Sequence, residues 1–550
     1  MSAPLFGQMM TLPLQVSSLI THAARWHGDR PIVSRLADGR VHRYGYRECE
    51  RRSRRLARAL QRQGVEPGER LATLAWNSFR HLELYFGIAG AGAVCHTVNP
   101  RLHLEQIVFI VNDAQDTWVF FDANLAPLIE ALAPRCPRVR RWVCLCAPEE
   151  RPASQLAIES YEAMLEAGDD DFRWPALDER TACSLCYTSG TTGNPKGVLY
   201  SHRATVLHSI VACLPDANAL DAATVVLPIV PMFHVNAWGL PYASCIVGAK
   251  LVLPGPRLDP ASLYELIETE RATLAAAVPT VWIGLLEYLE AGERPLHSLR
   301  RALIGGAAVP VTLIRALARH GIEVRQGWGM TETGPLVTTS APLARHLELS
   351  TAERQEISAQ QGRPLFGTEL ALLGPGGEQL PFDGQSMGQV MVRGHWIAER
   401  YFPDIPAAVD GWLPTGDIGT LDTEGFLQLR DRAKDLIKSG GEWISSIDLE
   451  SIAVAHPAVQ HAACIARPHP RWGERPLLLA VLKPGQILAR EQLLAHFEGK
   501  IARWAIPDDV LFVTELPLTA TGKLNKLKLR ELLGDYCWPE GARTREPVSR

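Results

Sequence analysis

The stretch Tyr187-Thr188-Ser189-Gly190-Thr191-Thr192-Gly193-Asn194-Pro195-Lys196-Gly197 organises the reading of the chain. Small residues let several backbone N–H groups converge without side-chain clash, which makes an anion-binding nest. The hydroxyls of Thr188, Ser189, Thr191 and Thr192 add donors, and Lys196 adds a point charge. A Gly/Ser-rich run alone is what any flexible connection looks like. Four hydroxyls and a Lys-Gly ending, set between an apolar run (Ala182 to Tyr187) and a helix-like run, point instead to a polyphosphate cradle. It is not a Walker loop, which requires Gly-x4-Gly-Lys-Ser/Thr.

Working outward, residues from about Leu14 to Arg180 alternate helical stretches with short apolar runs such as Leu71 to Trp76, Gly92 to Thr97 and Trp118 to Phe121. That alternation predicts α/β layering with a largely parallel sheet. Past the loop, Ser201 is the expected N-cap of a helix over Arg203 to Cys213. Further strands are expected at Val225 to Val230, Leu251 to Leu253, Ala272 to Val278 and Ala302 to Ile304. The first runs into Pro231-Met-Phe-His234-Val235-Asn-Ala-Trp238-Gly239, a ligand wall if strand ends gather the binding residues, as they do in open α/β sheets. The last runs into Gly305-Gly306-Ala307-Ala308-Val309-Pro310, small enough for a flat heterocycle to lie on the backbone. Gln326-Gly327-Trp328-Gly329-Met330-Thr331-Glu332 then offers a carboxylate suited to Mg2+, which takes one or two carboxylates plus substrate phosphates. A helix cap is the ordinary alternative for Thr331-Glu332.

From Gly362 to about Asp431 the texture becomes β-rich, with Asp417 on a Thr-Gly turn. A domain boundary falls within Leu429 to Ile444, between residues 1–432 and 433–550, and the remainder has its own α+β rhythm. It carries Thr521-Gly522-Lys523, a lysine placed to reach into something else.

At 550 residues, with 47% hydrophobic and 21% charged residues and a net charge of −4, the chain reads as a soluble protein of a few domains. No basic excess points to nucleic acid. The arginines from Arg51 to Arg62 alternate with Leu56, Ala59 and Leu60 at helical spacing, one solvated helix face. No basic leader with an apolar core precedes the domain, and no uncharged apolar stretch reaches the roughly 20 residues of a spanning helix. Eleven cysteines, an odd number in a large chain, suggest reduced thiols in the cytoplasm. Cys183 and Cys186 fall on one strand and read as structural.

The joint order of these segments resembles the motif series of the AMP-forming acyl-CoA synthetase superfamily over essentially the whole chain. Val230 to Trp238, Lys438-Ser-Gly-Gly-Glu-Trp-Ile-Ser445 and Ala502 to Asp508 are similar to the bacterial medium- and long-chain fatty-acid–CoA ligase branch. The resemblance implies a large N-terminal α/β domain with a β-rich subdomain and a small mobile C-terminal domain. It implies that a fatty acid and ATP form acyl-AMP and diphosphate, after which CoA takes the acyl group. Thr188 and Glu332 would hold Mg2+, and Ser189, Gly190, Thr191, Thr192, Gly193 and Lys196 would grip the β/γ-phosphates. Gly306, Ala307, Gln326, Gly327, Trp328 and Thr331 would line the adenine and α-phosphate site. Trp328 departs from the tyrosine of most relatives, and its indole would stack on adenine. Asp417 and Arg432 would hold the ribose, and Lys523 would stabilise charge as the adenylate forms. Lys434 is the implied hinge. Lys438, Gly440, Gly441 and Trp443 would border the CoA channel after the C-terminal domain swings. His234 would neighbour the carboxylate, with Val235 and Trp238 at the acyl gate, and a homodimer through the N-terminal domain is an implied assembly. Alternatives are a CoA ligase for a methylthio-alkanoate or aryl acid, an acyl-AMP ligase loading a carrier protein, and an inactive nucleotide-binding homologue.

Overall fold

The computed structural model describes residues 5–188, 194–440, 442–518 and 524–538. Two large sheets dominate the N-terminal part. The first has seven strands in the spatial order Ile158–Ser160, Arg141–Cys144, Trp118–Phe121, Arg70–Leu74, Val94–Thr97, Ala182–Tyr187 and Gly197–Ser201, parallel except for the last. The second has nine, with a parallel centre of Glu323–Gly329, Arg301–Gly305, Leu274–Ala277, Val225–Pro228, Lys250–Leu253 and Pro31–Arg35. Its edge strand Val41–Gly45 pairs antiparallel with Pro31–Arg35. Residues 31–45 therefore leave the first sheet's run to complete the second, which local alternation does not reveal.

Both sheets are covered on both faces, as parallel sheets must be. The period of two along each strand divides the core. Val226 faces a helical layer between the sheets, while Val225 and Leu227 face the outer helices Pro260–Glu270 and Pro279–Ala291. On the first sheet Leu71 faces the middle layer, and Ala72 and Leu74 face outward. The middle helix Phe79–Gly90 is buried on nearly its whole circumference, the pattern of a helix enclosed by protein. The arginine-rich helix Tyr46–Arg62 lies with it, and the solvated face holds for Arg51, Arg54, Arg55 and Arg62. Arg52 departs from it, bridging the buried Glu83 at 2.7 Å and Glu162 at 2.9 Å.

The opening stretch corrects one expectation. The segment after it is the strand Gly197–Ser201, which pairs antiparallel with Ala182–Tyr187; the helix begins only at His202. Thr188 and Lys196 thus stand beside the ends of two antiparallel strands, because Gly-Val-Leu-Tyr-Ser returns along the sheet edge before Ser201 caps the helix by accepting from Ala204 N–H. Within the strand, Cys183 meets Thr205 and Cys186 meets Thr97, each through sulfur. Every cysteine of the chain is free.

A four-stranded antiparallel sheet follows, of Thr368–Leu373, Gly388–Gly394, Leu413–Leu421 and Leu427–Arg432. The next strand, Ile437–Ser439, already belongs to the C-terminal sheet with Glu442–Ile444, Gly473–Leu482, Val459–His469 and Asp509–Phe512. That sheet buries its own core of Ile437, Leu449, Leu478, Phe497 and Val510 against helices such as Ser446–Val454. Among the described residues no helix is long and apolar enough to cross a membrane.

Candidate active site

A cavity of about 970 Å³ opens between the C-terminal ends of the second sheet's strands and the C-terminal domain. Thr188, Lys196, His234, Val235, Trp238, Gly306, Ala307, Gln326, Gly327, Trp328, Thr331, Glu332, Asp417, Arg432 and Lys434 all line it. These residues span nearly 250 positions of sequence, and the fold brings them to one space. Ser189 to Gly193, Gly441 and Lys523 lie outside the described residues. Leu518 and Leu524, which pair as a bridge across the segment holding Lys523, both line the cavity.

The hairpin ends at Thr188 and Lys196 pair directly. Thr188 N–H donates to the Lys196 carbonyl at 2.9 Å, and Lys196 N–H donates to Thr188 Oγ1 at 3.2 Å. The Lys196 ammonium sits 4.8 Å from the centroid of the Tyr401 ring, a cation–π contact. The Tyr401 hydroxyl in turn donates to Glu332 Oε1 at 2.8 Å. Burial, with the Glu332 carboxylate beside it, raises the Tyr401 pKa above its usual value, so the phenol stays a donor. Tyr200 fixes the backbone alongside by donating to the Thr331 carbonyl at 2.6 Å. Neither tyrosine stands out in the sequence; each is far along the chain from its partner.

Asp417 is buried and held from two sides. Trp328 Nε1–H donates to Oδ2 at 3.0 Å, and Arg432 Nε lies 2.7 Å from Oδ1. Trp328 is only 7% exposed and shares a core with Val337 of the second sheet and with Leu372 and Val390 of the β-rich subdomain. Its indole thus serves as an anchor for Asp417, a use that the stacking expectation overlooks. Gln326 is buried with its Oε1 unpartnered. A buried orphan acceptor costs about 1–3 kcal/mol, so it stands ready for a ligand donor. Gly306 has φ of +82°, a left-handed conformation that glycine adopts without Cβ strain.

The segment after the strand Val225–Pro228 has an unusual backbone. Val235, Asn236, Ala237 and Trp238 have φ of 46°, 49°, 50° and 57°, and Gly239 has 74°. This single left-handed turn sets His234 and Trp238 against the cavity. Left-handed geometry costs roughly 1–2 kcal/mol per non-glycine residue, so side chains must hold it. Asn77 donates to the carbonyls of Pro228 (2.8 Å) and Val230 (2.9 Å) and accepts from Met232 N–H (2.7 Å). Tyr85 donates to the Met232 carbonyl. Asn236 donates to Ser184 Oγ at 3.0 Å and accepts from the Cys186 thiol. The Trp238 ring lies against Gly305, where an added Cβ would stand 3.3 Å from it and 2.8 Å from the Gly327 carbonyl.

Lys438, Gly440 and Trp443 do not line this cavity. Lys438 and Trp443 lie opposite each other on the C-terminal sheet, and Gly440, in the turn after the first of these strands, donates its N–H to the Trp472 carbonyl. Lys434 is at the cavity rim, where partial desolvation lowers its pKa. Beside it Asp435 pairs with Arg530 at 2.6 Å.

Comparison with known proteins gives a consistent result. A family model described as AMP-binding enzyme matches residues 20–402, and one described as AMP-binding enzyme C-terminal domain matches residues 448–523. The chain is 50% identical to a 3-methylmercaptopropionyl-CoA ligase of Ruegeria lacuscaerulensis, covering 96% of this chain and 99% of that protein. It is 49% identical to a medium-chain-fatty-acid–CoA ligase of Ectopseudomonas oleovorans, covering 96% and 98%. Among solved structures, the anthranilate CoA ligase AuaEII in complex with anthranoyl-AMP superposes with a TM-score of 0.84 at 26% identity, over 96% of this chain and 98% of that one.

Proposed function

The chain belongs to the AMP-binding enzyme family, and from that premise we propose that it is an ATP-dependent acid–thiol ligase acting on medium- to long-chain fatty acids. The carrying observation is the single cavity, walled by both domains, that holds Thr188, Lys196, Glu332, Asp417, Arg432 and the Trp238 turn together. Polyphosphate, ribose and acyl chemistry can meet there.

In the first half-reaction an oxygen of the fatty-acid carboxylate attacks the α-phosphorus of ATP, and the bond to the β-phosphate oxygen breaks. Acyl-AMP forms and diphosphate leaves. Two anions must approach, so the work is charge neutralisation and alignment. Lys196 and the residues from Ser189 to Gly193 take the leaving diphosphate. Asp417 accepts from the ribose hydroxyls, with Arg432 and Trp328 fixing its orientation. Gln326 Oε1 accepts from the adenine amine, which satisfies its buried orphan oxygen. His234 orients the carboxylate, and Lys523 supplies positive charge at the α-phosphate. Trp238 and Val235 border the acyl chain.

The residues also fit Mg2+. Glu332 is a buried carboxylate with one oxygen on Tyr401, and Thr188 adds a hydroxyl at the same wall. Among the described residues there is no group of three or more His, Cys, Asp or Glu that could hold a metal unaided. One carboxylate completed by substrate phosphates is what Mg2+ takes. When bound, the ion would neutralise phosphate charge.

In the second half-reaction the CoA sulfur attacks the acyl carbonyl carbon, and the bond from that carbon to the AMP oxygen breaks. The surface of Lys438, Gly440, Gly441 and Trp443 would border CoA once the C-terminal domain turns about Lys434, a hinge rearrangement. The eleven free cysteines suit a reducing compartment, which favours a cytoplasmic enzyme.

The second reading, a ligase for 3-methylmercaptopropionate, is favoured by the 50% identity to the Ruegeria protein. A panel of acids from propionate to palmitate, with 3-methylmercaptopropionate included, separates the two by kcat/KM. A maximum between octanoate and palmitate supports the fatty-acid reading, and a maximum at the thioether acid replaces it.

A further inference from the structure

Lys526 lies three residues beyond Lys523, at the first turn of the helix Lys526–Leu532. Its ammonium is buried where the two domains meet. It lies 2.7 Å from Glu450 Oε1 and donates to Ser446 Oγ, both on the helix Ser446–Val454. Burial works against this ammonium, but attraction from Glu450 and Asp431 outweighs it and raises the Lys526 pKa. The cation is therefore retained.

Asp431 lies on the other side of Lys434, in the last strand of the β-rich subdomain and next to the Arg432 that holds Asp417. Its Oδ2 accepts from Ser446 N–H at 2.6 Å, at the start of the same C-terminal helix. Two more contacts run the same way: Ser445 Oγ donates to the Arg430 carbonyl, and Arg430 faces Asp448 at 3.6 Å. The bonds of Asp431 and Arg430 span Lys434, so a rotation about that residue breaks them, whereas the Lys526 bonds to Glu450 and Ser446 stay within the C-terminal domain. In the orientation they hold, Leu518 and Leu524 border the cavity.

We propose that Asp431, seated on Ser446 N–H across Lys434, is a latch, and that Lys526 is the positioning residue that seats Ser446 and keeps the carboxylates of Asp431 and Glu450 compatible; together they hold the C-terminal domain in the adenylate-forming orientation and must release before thioester formation. This rests on the two-step ligase reading. The remainder of the ion-pair set is consistent with it. Arg530, one turn along the same helix, pairs with Asp435, so the helix that follows the Lys523 segment is tied beside the pivot at two points.

The test compares Lys526→Met and Asp431→Asn with the unaltered protein in separated half-reactions, together with tryptic cleavage at the hinge. Acyl-AMP formation from octanoate and ATP without CoA should fall by roughly 30-fold or more in Lys526→Met, as when one partner of a buried charge pair is truncated. It should fall less in Asp431→Asn. Thioester formation from supplied octanoyl-AMP should be unchanged or faster, and cleavage after Arg432 or Lys434 should accelerate in both. A merely structural lysine would lower both half-reactions together, which overturns the proposal. Should Lys526→Met fold poorly, the double variant Lys526→Met/Glu450→Met removes the buried pair as a unit, often neutral for stability. Full recovery of acyl-AMP formation in that variant also overturns the latch. If the unaltered protein makes no acyl-AMP, the ligase reading fails, and the cleavage arm still judges the latch: unchanged rates contradict it.

Discussion

Replacing Asn77 by alanine should do specific damage to the acid site. Asn77 is 3% exposed and makes three hydrogen bonds to the segment that leads into the left-handed turn. A net hydrogen bond is worth about 1 kcal/mol, and a buried group left unpaired costs about 1–3 kcal/mol. The loss is therefore roughly 3 kcal/mol or more. On the other side, four non-glycine residues held at φ between 46° and 57° store on the order of 4–8 kcal/mol against the right-handed alternative. With the clamp gone, the turn has a large incentive to relax, and Trp238 and His234 move with it. Urea unfolding should show a loss of roughly 3 kcal/mol in stability. Steady-state kinetics should show the KM for the acid rising about tenfold or more, a change of roughly 1.4 kcal/mol, while the KM for ATP stays near its original value. Asn77→Asp, which retains the acceptor for Met232 but turns both donors into a carboxylate facing two carbonyls, should be at least as harmful. A stability loss under about 0.5 kcal/mol, or an equal rise in both KM values, would show that Asn77 does not hold the turn.

Trp328→Phe removes the N–H that holds Asp417 while keeping most of the packing; the KM for ATP should rise about tenfold or more, worth one hydrogen bond to a charged group, and acid KM should not follow. Gly305→Ala places a Cβ 2.8 Å from the Gly327 carbonyl and 3.3 Å from Trp238, so acid turnover should fall most for the longest acids; a uniform loss across the panel would point to backbone damage instead. Stability should also fall in mild acid. His81, His202 and His208 are buried, and desolvation lowers each pKa from 6.5 to about 4. Between pH 6.5 and 4 the unfolded chain binds protons that the folded chain refuses, so the stability present above pH 6.5 is lost as pH falls toward 4. Each histidine accounts for on the order of 3 kcal/mol over that window. His208→Gln should flatten the urea midpoint against pH by one proton's worth, and an unaltered slope contradicts the assignment.

Much of the site is legible in the sequence because its chemistry is local. Thr188 and Lys196, a carboxylate at 332 and an aspartate at 417 line the cavity, and each sits in a short run whose composition suits one ligand group. What is not legible is long-range or backbone-borne. Asn77 meets Met232 across 155 residues, and Trp328 meets Asp417 across 89. No pattern in either neighbourhood foretells the pairing. The hairpin at 187–197 is missed because five residues of return strand look, by composition, like the start of the helix that follows. The left-handed turn has only Gly239 as a signal; Val235 in that region runs against its own β-branched preference. Residues 31–45 illustrate the same limit on the fold: alternation identifies strands, but which sheet they join is decided by the packing of distant helices.

The acyl-adenylate route is tested most directly by following ATP labelled at the α-phosphate, with octanoate, Mg2+ and CoA present. It predicts label in AMP, formed only with the acid and in equal amount to octanoyl-CoA. Label in ADP, or AMP released without any dependence on an acid, would contradict it.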